Sequence, residues 1–229
     1  MSETQTLYPN TNEFAIISKI IYVIYTLYCF ICYIMMSYYS FYLLFFSDIT
    51  FSHLSKITHP YYGKLILWAL QYLIIDTFHK YYDRLYLKHY YTNDRMYNIM
   101  LLHHILGITT TMYIYLLDIS HISGIALYTF EFTSIFLLLF SLKIKRINLC
   151  CLQINNVRNI SLWLFWSSFL VIRVIYGNIV SLYLYYLAYI EQVPWHFTFI
   201  ANIIFPFLLL ANNSWFYKLH KIYKKSKKL

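Results

Sequence analysis

Residues 96–117 read MYNIMLLHHILGITTTMYIYLL, an apolar run interrupted near its centre by His103 and His104. The run is long enough to cross a bilayer, which takes about 20 predominantly apolar residues. Imidazole in hydrocarbon is costly unless it faces a packed interior or a wet cavity. The histidine pair therefore marks a candidate functional site. Adjacent helix positions point about 100° apart, so the two rings cannot both face one site. One is expected to face a cavity and the other to support it.

The rest of the chain has the same character. Its 229 residues are 60% hydrophobic, 22% aromatic and only 12% charged, with a mean hydropathy of +0.53. A soluble domain carries roughly twice that charged fraction. Glycine and proline are scarce, at four each, and the apolar runs lack the strict alternation of a membrane barrel. The expected fold is all-α: a polytopic transmembrane bundle of six spans around a central, lipid-accessible cavity. Nucleic acid is not an expected partner. Most of the 27 tyrosines read as filler from AT-rich coding, with some in interfacial belts.

The six expected spans are 15–46, 64–82, 96–117, 121–142, 160–189 and 195–217. The first is too long for one upright span and too short for two, so it reads as one tilted helix. Pro206 predicts a kink in the sixth. Basic residues alternate between loops. Arg84, Lys88 and Arg95 follow span two; Lys143, Lys145, Arg146 and Arg158 follow span four; Lys218, Lys221, Lys224, Lys225, Lys227 and Lys228 follow span six. The loops after spans three and five carry no Lys or Arg. The positive-inside rule then places both termini in the cytosol. The expected division is a polar N-terminus at 1–14, the transmembrane domain at 15–217 and a basic tail at 218–229. The N-terminus has no basic n-region, so the first helix is expected to serve as an uncleaved targeting segment. The sequons at Asn159 and Asn212 fall on the cytosolic side and are expected to stay unmodified.

Ionisable groups fall inside four spans: Asp76, the His103–His104 pair, Glu131 and Arg173. Counting helical rise from the cytosolic ends, Asp76 and His103 lie roughly 10 and 11 Å deep, Glu131 and Arg173 roughly 16 and 19 Å. Unpaired, each would cost about 3 kcal/mol or more at the bilayer centre. They are expected to share one interior, either as ion pairs gluing helices together, such as Glu131 with Arg173, or as a functional pocket. A histidine beside a carboxylate can act as general base or nucleophile, and Asp76 can orient an imidazole. Thr109, Thr110 and Thr111 either bond back to their helix or line the cavity.

Other motifs carry less. Cys29 and Cys32 have C-x-x-C spacing but no neighbouring ligands, so a core or lipid-facing place is preferred over zinc or redox chemistry. Cys150 and Cys151 follow a basic run, where palmitoylation competes with unmodified thiols. No metal site, phosphate loop or serine elbow is expected.

Taken in order, several short elements resemble the TLC family, the domain shared by TRAM, ceramide synthase (Lag) and CLN-type membrane proteins. They are Leu73-Ile74-Ile75-Asp76, Leu102-His103-His104-Ile105, Glu131-Phe132-Thr133-Ser134-Ile135-Phe136, Phe169-Leu170-Val171-Ile172-Arg173 and Ala211-Asn212-Asn213-Ser214-Trp215-Phe216-Tyr217-Lys218. The resemblance implies helices enclosing a lipid-accessible cavity in the endoplasmic reticulum or a related membrane. In the ceramide synthase branch it implies acyl transfer from acyl-CoA to a sphingoid base. His103, His104 and Asp76 are then the catalytic candidates, and Glu131, Arg173 and Asn212 the cavity or lipid-binding candidates. No cofactor is implied beyond acyl-CoA as a candidate substrate. That branch carries further aspartates after the histidines, whereas this chain reads Asp118-Ile119-Ser120-His121-Ile122-Ser123-Gly124. The resemblance is therefore closer to the branch that affects membrane lipid composition or traffic. The expected function is binding or regulating membrane lipids, with N-acyl transfer as the alternative. The tail Lys225-Ser226-Lys227-Lys228-Leu229 resembles a dilysine retrieval signal, against a generic basic flank.

Overall fold

The computed structural model describes residues 11–48, 58–84, 94–118, 121–144, 154–191 and 195–226. The readings on Cys150, Cys151, Lys88, Lys145, Arg146 and the last three tail residues lie outside them. Among the described residues the structure is helical, with no strand.

Helix α1 (Thr11–Phe46) is continuous, as expected of one long first helix. Helix α2 (Pro60–Tyr82) starts where Pro60 fits the first turn, its missing N–H being an orphan there anyway. The His59 side chain caps it, accepting from the Tyr61 N–H at 3.2 Å. Helix α3 (Asp94–Leu117) carries the histidine pair. It ends at Asp118, whose φ of 58° is left-handed, a conformation Asp tolerates better than most residues. Helices α4 (His121–Tyr128) and α5 (Glu131–Ile144) follow. Then α6 (Ile154–Ser168), a π-helical segment (Phe169–Tyr176) and α7 (Gly177–Ile190) run on without a gap. Helix α8 (Trp195–Ser226) contains Pro206.

Two expectations need correction. Among the described residues, four stretches rather than the expected six are long and apolar enough to cross a membrane: Ile16–Phe46, Tyr97–Leu117, His121–Phe140 and Asn159–Ile190. Length does not exclude the other two. The 23 residues of α2 rise about 35 Å, more than a hydrocarbon core of about 30 Å. Helix α2 is the less apolar of the two, carrying Lys64, Gln71, Asp76 and Lys80. The second correction is to span four, expected as one helix. It is broken at Thr129–Phe130 into α4 and α5.

Helix α1 packs along α2 and also meets α4 and α5; α3 packs on α2, α6 on α5, and α8 on α7, α6 and the π segment. The main core lies in the α1–α2 seam, where Cys29, Cys32, Met36 and Leu43 bury against Leu65, Ala69 and Leu73. Cys29 and Cys32, three apart on one helix face, are free thiols within this seam. Small residues such as Ala69 and Ser40, both fully buried, let the two helices approach closely.

Candidate functional site

The polar interior divides into two neighbouring groups. The first surrounds Asp76. Tyr72, Asp76 and Lys80 are four apart on α2 and so share one face. Asp76 is 1% exposed, and a buried carboxylate must be paired. Lys80 Nζ lies 2.5 Å from Asp76 Oδ2, and His104 Nε2 lies 2.9 Å from the same oxygen. The Tyr25 hydroxyl of α1 donates to Oδ1, and the Tyr72 hydroxyl donates to Oδ2 at 3.3 Å. The other face of the His104 ring meets Thr77 Oγ1, 3.3 Å from Nδ1. Lys80 Nζ is also 3.2 Å from His104 Nε2. His104 is thus fixed at both ring nitrogens inside a network drawn from three helices.

The second group lines a cavity of about 100 Å³ enclosed by α2, α3, α4, α5, the π segment and α8. His103, Glu131, Arg173 and Asn212 all stand on its wall, with Thr110 and Thr111 beside them. Most of the remaining wall is apolar, including Leu73, Leu106, Leu127 and Phe207. The His103 ring meets Trp215 edge-on at 5.9 Å and sits 5.6 Å from the His104 ring. So the pair divides: His103 lines the cavity, while His104 turns to Asp76. Neither Asp76 nor His104 lines the cavity.

Of the three threonines, Thr111 does two things. Its hydroxyl lies 2.7 Å from its acceptor, the Gly107 carbonyl, and it also pairs with the Tyr128 hydroxyl of α4.

Arg173 is not the ion-pair partner of Glu131. Its Nε donates to Thr133 Oγ1 at 2.7 Å. Its Nη2 donates to the Phe130 carbonyl at 3.2 Å and to Ser134 Oγ at 3.0 Å. The guanidinium also lies 5.4 Å from the centre of the Phe169 ring. Among the described residues, the side chains of His103, Glu131 and Asn212 make no hydrogen bond, so their polar atoms are available to a guest. Imidazole offers one donor and one acceptor, carboxylate only acceptors, and carboxamide both. Such a wall can hold the polar end of an amphiphile whose apolar part meets the remaining surface.

Two contributors escape a sequence reading. Lys80 was legible in principle, four residues after Asp76 on one helix face. Tyr25 carried no signal, because nothing separates one tyrosine from 27.

The family profile described as the TLC domain matches residues 23–221. No curated protein and no solved structure matches the chain.

Proposed function

Because the chain belongs to the TLC domain family, a family of membrane proteins, we propose that it binds membrane lipid in this cavity and acts in lipid homeostasis or lipid traffic. One observation carries the reading: three polar side chains free of hydrogen bonds among the described residues stand on an otherwise mostly apolar cavity wall. The volume, about 100 Å³, falls below the roughly 300–1,000 Å³ of sites that enclose a drug-sized ligand. It suits one end of a lipid, with the rest lying along the helices in the bilayer. The alternating loop charges support cytosolic termini, and the tail supports an endoplasmic reticulum or related membrane.

The test is lipid extraction and mass analysis of the purified protein. A defined lipid retained in stoichiometric amount, and lost in His103→Ala, is expected. Well-folded protein carrying no lipid overturns the reading.

A second reading, N-acyl transfer, is favoured by one observation, the division of the histidine pair. His103 lines the cavity while His104 is held by Asp76 behind it. In this reaction a sphingoid amine attacks the thioester carbon of acyl-CoA. His103 takes the amine proton and passes it to the sulfur as the C–S bond breaks, so the CoA thiol leaves as the amide forms. Incubation with acyl-CoA and a sphingoid base should release thiol and amide together, and His103→Ala should lose both. No amide from the wild-type protein overturns this reading and leaves lipid binding standing.

A further inference from the structure

The helix break and the π segment meet at one point. At Thr129–Phe130 the α-helical ladder gives way to tighter bonds: Phe130 N–H to Leu127 O at 3.1 Å, Phe132 N–H to Thr129 O at 3.2 Å and Thr133 N–H to Phe130 O at 3.1 Å. A break inside an apolar segment leaves carbonyls that must find other donors. Side chains supply them. The Thr129 hydroxyl donates to Ala126 O at 2.6 Å, the Thr133 hydroxyl to Phe130 O at 2.8 Å, and Arg173 Nη2 to the same Phe130 carbonyl. The break starts α5 at Glu131, which lines the cavity.

Arg173 reaches this point from the π-helical segment, whose wider turns often occur at functional sites. The next residue after that segment, Gly177, touches the same joint. A Cβ added there would lie 2.9 Å from Phe130 Cζ and 3.3 Å from Cε1. The Phe130 ring, 5% exposed and edge-on to Tyr176, itself lines the cavity, so yielding to that Cβ would move the cavity wall. Gly177 itself does not line the cavity.

We propose that Arg173 and Gly177 lock the Thr129–Phe130 joint and so position Glu131 in the cavity wall. Arg173 is thereby a positioning residue rather than a ligand-binding one. Three of its hydrogen bonds go to α4–α5, and lysine cannot reproduce that fork. The proposal rests on the cavity reading for the place of Glu131. Its readout needs no bound lipid, so an empty cavity in the extraction experiment leaves it standing.

The experiment is the labelling rate of Glu131 by dicyclohexylcarbodiimide, a reagent for carboxyl groups in apolar surroundings, read by peptide mass in the purified full chain. Gly177→Ala and Arg173→Lys should each change that rate by about tenfold, the effect of a shift of about 1.4 kcal/mol in a conformational equilibrium. Gly177→Ala combined with Phe130→Leu, which removes the opposing ring edge, should return toward the wild-type rate. If Gly177→Ala fails to fold, Arg173→Lys and the double variant decide. Wild-type labelling in either single variant, or no recovery in the double variant, overturns the proposal. Lipid retained by Arg173→Lys but lost from Arg173→Met would instead show the guanidinium acting on the ligand as a charge.

Discussion

His103 and His104 are chemically identical and adjacent, yet the fold gives them different work. His104 is 2% exposed and fastened to Asp76 and Thr77; His103 lines the cavity. His103→Ala should therefore lower lipid retention with little change in thermal midpoint, whereas His104→Ala should lower the midpoint first. Parallel extraction and melting of both variants checks this. The Asp76–Lys80 pair gives a sharper test. Asp76→Asn strands the Lys80 ammonium, at a cost of about 3 kcal/mol, the low end for a broken buried pair because the lysine keeps 16% exposure. Adding Lys80→Met should recover part of that loss, so a double-mutant cycle should be clearly non-additive. Residue identity was legible here because an ionisable group in an apolar run stands out. Partner choice was not: the Tyr25 contact to Asp76 spans 51 positions, and no local pattern encodes it.

At the scale of the element, the glycines show how context reverses a rule. Alanine in place of glycine in a helix interior normally stabilises, chiefly by restricting the unfolded chain. At Gly63 on α2 an added Cβ meets nothing within 4 Å. Gly63→Ala should raise stability by about 0.5–1 kcal/mol, seen as a higher midpoint in thermal or denaturant unfolding. At Gly177 the same change drives into Phe130 and should lower it. The segment 121–142 reads as one uninterrupted span, since Thr129 and Phe130 carry no helix-breaking signal. The break is satisfied by local hydroxyls, Thr129 to the Ala126 carbonyl and Thr133 to the Phe130 carbonyl, and by Arg173, from a distant helix, which donates to the same Phe130 carbonyl. Local sequence gave no warning of a partner that is not local.

For the whole molecule, the four stretches found among the described residues and the six expected from sequence are both even counts, so either arrangement predicts termini on one side. In sealed vesicles, single cysteines at Ser2 and Lys224, placed in a Cys150→Ser, Cys151→Ser background, should react with a membrane-impermeant maleimide from the same face. Labelling from opposite faces would refute the arrangement. By itself the sequence determined the all-helical, membrane-embedded class and the residues worth watching, because apolarity, charge alternation and the oddity of ionisable groups in hydrocarbon are local properties of the chain. The tertiary structure alone decided which histidine meets the cavity, that Arg173 bonds to a helix break rather than to Glu131, and that Asp76 gathers its partners from three helices. Those outcomes depend on which helix faces meet, and helix rotation and partner choice are set by packing between segments far apart in the chain.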